Sequence, residues 1–388
     1  MPRLRSECVI DMLDYAHIGM NKEELDTPAL LIYLDALEKN IRTVADYYRG
    51  KKGAALLPHQ KGHRSPMIAK KQIRAGAKGL SMTSLGLAEY YVDCGITDVP
   101  ILITNEIYGM NKIKKLCGLS KHADVTVSVD NIENVRNLSE TALANNTKIN
   151  VAVELWMGAK SCGVEIEKTK SFVKKIVKFR GVNFKGLWEH QGALGSIKGW
   201  KERKNAHFKT LGKLAKLKDE IEDAGINVEM LSSGFSCTWN ITPEYRPLSN
   251  VGVQAGSYVF SDWCSHGIEG LEVFDYSLTV LTRCISRPKP NLALFDFGMN
   301  SCSDEATNNY LSVVGPKFKD LSGVKEIHER EEISAVVFEK PSREVKVGDL
   351  FELIPPHSDT TAKLHDKYYC IRNNKVEAIW PNNGRGLL

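Results

Sequence analysis

Leu56-Leu57-Pro58-His59-Gln60-Lys61-Gly62-His63-Arg64-Ser65-Pro66 is the stretch on which the fold turns. An apolar run, Ala54–Leu57, stops at Pro58, and His59, Lys61 and His63 follow at alternate positions. A short apolar run that ends in polar residues and leads into an amphipathic segment is the unit of an alternating β/α chain. The same unit recurs downstream at 79–83, 100–104, 125–129, 150–155, 186–189, 228–231 and 251–253. Together these runs predict about eight parallel strands alternating with helices, a (β/α)8 TIM-type barrel of the α/β class. The clearest helix is expected over 201–224, where Phe208, Leu211, Leu214, Leu217 and Ile221 stand among lysines. Asp35-Ala36-Leu37-Glu38 reads as a capping box that opens an earlier helix, with Leu37, Ile41, Val44 and Tyr48 on one face.

Past Tyr276 the texture changes. Runs at 277–286, 291–296, 332–338, 349–354 and 368–372 are rich in β-formers and separated by turn residues. We expect a barrel over residues 27–275 and a second, mostly β domain made of 1–26 and 276–388.

The 388 residues are 43% hydrophobic and 26% charged, the balance of a folded globular protein. The net charge of +5 is spread over scattered lysines and glutamates, which describes solvated helix faces and not a nucleic-acid-binding surface. Nine cysteines without a CxxC spacing point to reduced thiols and a cytoplasmic setting. Arg3, Arg5, Glu7, Asp11 and Asp14 interrupt the N-terminus, so no signal peptide is read there, and no apolar run approaches the ~20 residues of a membrane span.

In such barrels the C-terminal strand ends form the reactive face. Lys61, just past strand one, would sit at that mouth. It is a solvated surface lysine or, with His59 and His63 beside it, a Schiff-base lysine. The loops after strands seven and eight are the usual phosphate sites of the fold. Here they read Ser232-Ser233-Gly234-Phe235-Ser236 and Ala255-Gly256-Ser257-Tyr258. Glycines let backbone N–H groups approach an anion, and the hydroxyls add donors. A phosphate-bearing cofactor that condenses with an amine, pyridoxal 5′-phosphate, fits both ends of this arrangement. In the β domain, His357 and Asp359 would face the same way on an extended segment, as a pair of ligands for Mn²⁺, Mg²⁺ or Zn²⁺.

These motifs resemble those of the D-threonine aldolase, 3-hydroxy-D-aspartate aldolase and D-serine dehydratase group within the alanine-racemase fold type (fold type III) of pyridoxal-phosphate enzymes. The likeness runs from Asp26-Thr27-Pro28-Ala29-Leu30 through Pro58-His59-Gln60-Lys61 and 255–260 to His357-Ser358-Asp359, Leu364-His365-Asp366 and Ala378-Ile379-Trp380-Pro381. It implies that Lys61 carries the cofactor, that Gln72 lies near it, and that a homodimer shares its active sites. His190 is the first histidine of a family HxGH-like stretch, with Ala193 in place of the second. Ser161 stands where the resemblance places an arginine against the pyridine nitrogen. Its neighbour Lys160 would point to the opposite face. Asn300 replaces a frequent lysine, and Gly62 a usual Thr or Ser.

The expected activity is metal-assisted cleavage of small D-β-hydroxy amino acids to glycine and an aldehyde, with Lys61, His63 and His190 as catalytic residues. The cofactor would be bound by His59, Lys61, Gln72, Ser161, His190, Ser233, Gly234, Phe235, Ser236, Gly256, Ser257 and Tyr258, and the metal by His357 and Asp359. The alternatives are elimination to a keto acid and ammonia, as in D-serine dehydratase, or a cofactor-binding protein without catalysis. A racemase ranks lower, since racemases need no metal pair.

Overall fold

A computed structural model of the chain describes residues 16–51, 53–158, 161–303 and 315–388. Arg3, Arg5, Glu7, Asp11, Asp14 and Lys160, on which the sequence reading drew, lie outside the described residues. The first strand among the described residues is β1 (Ala29–Tyr33). The next eight form one parallel sheet: β2 (Ala54–Leu56), β3 (Leu80–Met82), β4 (Ile101–Ile103), β5 (Val125–Val129), β6 (Ile149–Glu154), β7 (Val182–Trp188), β8 (Met230–Ser232) and β9 (Val251–Val253). Their order is β2-β9-β8-β7-β6-β5-β4-β3. The ring closes between its first and last members, where His59 bridges Ser81 and the Gln60 N–H donates to the Ser81 carbonyl at 2.8 Å. Each of the eight apolar runs from residue 54 to 253 is thus a barrel strand. Such runs are apolar throughout because helices cover one face and packed side chains fill the other.

Helices Pro66–Arg74, Leu85–Asp93, Met110–Leu119, Ile132–Ala144, Ile166–Ile176 and Trp200–Glu222 connect β2 through β8 in turn. In the last of these Leu211, Leu214, Leu217 and Ile221 are buried, as their spacing predicts, together with Arg203 and His207. The step from β8 to β9 has only 3-10 turns, at Ser236–Thr238 and Thr242–Glu244. Helix Leu34–Tyr48 packs against β2 and against the turn Ser257–Val259. Its start differs from the expected capping box. The helix grows straight out of β1, with Tyr33 at the N-cap and no side-chain cap. Asp35 and Glu38 pair with Arg372, and Glu38 also with Lys71.

Among the described residues the second sheet has nine strands: β1, β10 (Leu278–Lys289), β11 (Leu292–Phe295), β12 (Lys317–Phe318), β13 (Val324–Glu329), β14 (Ser334–Phe338), β15 (Leu350–Ile354), β16 (Lys367–Arg372) and β17 (Lys375–Pro381). Its main path is β13-β14-β11-β10-β1-β16-β17, with β15 joining β10 to β12. β1 lies antiparallel to β10 and parallel to β16, so this strand, which a boundary at residue 27 gives to the barrel, pairs in the β domain. No disulfide joins the eight cysteines among the described residues.

Candidate active site

At the C-terminal rim of the barrel, a cavity of about 150 Å³ lies between β2, β8, β9 and the segment that follows β15. Of the residues read from the sequence, His59, Lys61, His190, Phe235, Ser236, Gly256, Ser257, His357 and Asp359 line it. Lys61 follows β2 as expected. Its Nζ stands 3.1 Å from Asp359 Oδ2, with the lysine side chain about half exposed (48%) and the aspartate buried. Burial alone would raise the Asp359 carboxyl, but Lys61 and His357 hold it well below the usual carboxylate range. Its Oδ1 is buried and has no protein partner.

His357 and Asp359 do meet, though not on an extended segment. His357 is the extended N-cap of a short helix, Ser358–Ala362, and Asp359 lies in the first turn. His357 Nε2 is 3.9 Å from Asp359 Oδ2. The Thr360 hydroxyl donates to the His357 carbonyl at 3.1 Å and lies 3.3 Å from Nδ1. His365 is elsewhere, with Nε2 donating to the Ser301 carbonyl at 2.7 Å.

The three histidines put forward as cofactor or catalytic groups take different places. His59 Nδ1 accepts from the Lys61 N–H at 3.3 Å, and Nε2 lies 3.3 Å from the Thr104 hydroxyl, whose own proton goes to the Met82 carbonyl. Both ring nitrogens of His59 are therefore committed. Burial and the Lys61 ammonium lower its pKa to about 3, so it is neutral at pH 7. His190 opens onto the cavity, edge-to-face with Phe235 at 5.4 Å. The surrounding protein and Lys61 bring its pKa to about 4. His63 does not reach the cavity. It is buried edge-on against Phe260, and its Nδ1 accepts from the Ser65 N–H at 3.1 Å.

The two glycine-rich loops come together. The Gly256 N–H and the Ser257 hydroxyl both donate to Ser236 Oγ, at 3.1 and 2.9 Å. A Cβ on Gly256 would lie 2.6 Å from the His59 carbonyl, so only glycine allows this approach to the lysine loop. Four sequence-predicted residues stand behind the cavity. Gln72 accepts from Gln60 and donates to the Tyr258 hydroxyl, each at 3.0 Å. It is a buried strut between the lysine loop and the loop after β9. Ser233 donates to Glu189, and Gly234 packs on Thr238 and Thr242.

Ser161 is not brought to the cavity either. It is exposed, and its hydroxyl donates to the Gly158 carbonyl at 3.0 Å. Cys162 instead turns toward Glu106 and Glu154, carboxyls that share the Ser128 hydroxyl. Burial and the Glu106 carboxyl raise the pKa of Glu154. Among the cavity residues not picked out from the sequence, Gln254 donates to Ser232 Oγ at 2.9 Å, and Asp262 sits beside His357 and Asp359. Gln254 adjoins a glycine loop and was open to detection by position alone.

An eight-stranded parallel barrel joined to a nine-stranded β domain is alanine racemase-like architecture. The chain belongs to the family described as alanine racemase, N-terminal domain, whose model matches residues 32–261. A model described as a putative serine dehydratase domain matches residues 277–371. The chain is 32% identical to a 3-hydroxy-D-aspartate aldolase of Paracoccus denitrificans (strain Pd 1222), over 95% of this chain and 94% of that protein. It is 29% identical to a D-threonine aldolase of Arthrobacter sp, over 94% and 93%. The crystal structure of D-threonine aldolase from Filomicrobium marinum superposes with a TM-score of 0.87 at 28% identity, covering 96% of this chain and 98% of that one. This family implies a pyridoxal 5′-phosphate cofactor. No helix among the described residues is long and apolar enough to cross a membrane.

Proposed function

We propose that the protein is a pyridoxal-phosphate- and divalent-metal-dependent lyase. It would cleave the Cα–Cβ bond of D-β-hydroxy amino acids to give glycine and an aldehyde. The observation that carries this reading is the meeting of Lys61 with His357 and Asp359 across one cavity, bordered by the Gly256–Ser257 loop. The full-length relatives named as aldolases support the bond chosen.

The residues fit both groups. For the cofactor, Lys61 offers the amine, and Ser236, Gly256 and Ser257 offer hydroxyl and N–H donors within a cradle that a Cβ would fill. For a cation, the donor set is an imidazole nitrogen and a buried, ionised carboxylate with an unpartnered oxygen. When bound, the cofactor supplies a ring that accepts electrons from the breaking bond, and the cation acidifies the β-hydroxyl. The chain's own residues do the rest. Lys61, beside Asp359, would hold the cofactor through its amine. Asp359 stays anionic throughout the working pH range. His190 is the unprotonated imidazole that opens onto the cavity, so it is positioned to take the hydroxyl proton; His63, walled off behind Lys61, is not. The site would work in a cytoplasmic homodimer.

The test is to incubate the cofactor-loaded protein with D- and L-threonine and the isomers of 3-hydroxyaspartate, with and without Mn²⁺. Glycine and aldehyde from the D-isomers alone, lost on chelation, are the expected products. A keto acid and ammonia would replace the aldolase reading with elimination. Lys61→Ala should abolish borohydride trapping of cofactor on the protein, and trapping at another lysine in native conditions would refute the assignment.

A further inference from the structure

Asp262 lies just beyond the Ser257–Val259 turn and is 2% exposed. Each of its carboxylate oxygens takes two donors. Oδ1 accepts from the Ser265 N–H and hydroxyl, at 3.2 and 2.8 Å. Oδ2 accepts from the N–H and hydroxyl of Ser358, both at 3.1 Å. Ser358 is the residue between His357 and Asp359, and it is fully buried. The backbone follows suit. The Trp263 N–H donates to the Pro355 carbonyl at 3.0 Å, and the Cys264 N–H to that of Pro356 at 3.1 Å. A three-residue strap of the barrel thus runs along the segment that carries both metal-site side chains, and a buried carboxylate grips its middle.

We propose that Asp262 is the positioning residue of the metal pair: carried by the barrel and ligating nothing itself, it sets the affinity of the β-domain pair for its cation. Two readings compete for a buried aspartate beside two ligands, and geometry separates them. A third ligand needs an uncommitted oxygen, whereas both oxygens of Asp262 are saturated by four donors. Those bonds are also what makes a buried carboxylate tolerable. The distance between His357 and Asp359 is set by the backbone of Ser358, the turn from extended N-cap into helix. Holding that residue by both N–H and hydroxyl fixes the turn. Because Asp262 follows directly on the Gly256–Ser257 loop, the grip also registers the pair against Lys61. Groups that orient ligands without touching the metal commonly change its affinity about 10–100-fold.

The proposal rests on the metal reading above, and the experiment separates the two. Mn²⁺ is titrated into cofactor-loaded protein, and free Mn²⁺ is counted by electron paramagnetic resonance. Cofactor absorbance and the thermal midpoint are recorded alongside. Asp262→Asn keeps the shape but offers one acceptor oxygen where four donors converge, so its NH2 must face the N–H of Ser265 or of Ser358 and the strap shifts; Mn²⁺ should bind about ten-fold more weakly while the absorbance is unchanged. Unchanged affinity overturns the proposal. If Asp262→Asn does not fold, Ser358→Ala decides, since it removes one of the two grips and should weaken Mn²⁺ several-fold with the cofactor retained. Parental affinity in that variant overturns the proposal as well. A parent protein that binds no Mn²⁺ removes the metal reading itself, and this one with it.

Discussion

Gly62 is without a side chain where Asp359 needs room: a Cβ there would meet Asp359 Oδ1 at 2.7 Å. At this scale the site is a set of small permissions and refusals. His59 has both ring nitrogens committed, whereas His190 opens onto the cavity with its pKa lowered to about 4. Glu189 is the outlier. It is 1% exposed, accepts from the Ser233 hydroxyl, and has a second oxygen without a partner. Burial raises its pKa from 4.5 to about 7, against a downward pull from Ser233. The unfolded chain ionises near 4.5 and the folded one near 7, so the protein loses stability as pH rises through that window. The slope approaches roughly 1.4 kcal/mol per pH unit within the window and flattens above it. Glu189→Gln should remove this loss. Its unfolding free energy, measured by urea titration from pH 5 to 8, should gain on the parent steadily with pH. A parallel pair of curves would show that Glu189 does not titrate there.

Between elements, the contact that matters most is loop against loop. Gly256 passes within reach of the His59 backbone, and the Gln60–Gln72–Tyr258 strut ties the same two loops from behind. Gly256→Ala must push them apart. We expect weaker cofactor binding and about 1–3 kcal/mol lower stability, in keeping with other overpacked sites. Cofactor titration and thermal unfolding of the same sample check both, and parental values in each would contradict the close approach. Much of this level was legible in the sequence. The barrel strands stood out because Gly, Pro or polar residues bracket each apolar run. β1 did not reveal its sheet, since a strand buried on both faces reads alike in either domain. β12 and β13 escaped because Lys317-Phe318 is too short and Val324–Glu329 too polar to show a pattern. Lys61, His357 and Asp359 were singled out by their chemistry together with the motifs around them, and the fold brings the three to one cavity. Asp262 was not singled out, because its grip on Ser358 exists only through a neighbour distant in sequence. Ser161 was assigned to the ring through motif position, and only the folded loop shows its hydroxyl turned back on Gly158.

The whole molecule is interlaced, not two beads on a string. β1 sits mid-sheet between β10 and β16, so the β domain lacks its central strand when cut at residue 276. A fragment of residues 277–388 should therefore fail to fold, and fusing residues 16–33 to it should restore dispersed amide resonances. A well-dispersed spectrum from the bare fragment would contradict the interlacing. The same interlacing sets an order of events on the ribosome. Leu31 pairs with Thr279 on one side and Tyr369 on the other. The first strand made must wait for nearly the last, on the order of tens of seconds at about 5–20 residues per second. During that wait the nascent barrel already has Lys61 and both glycine loops, but neither His357 nor Asp359. A half-made chain can thus complete the lysine-and-glycine side of the cavity well before the opposite wall, which only the closing strands deliver.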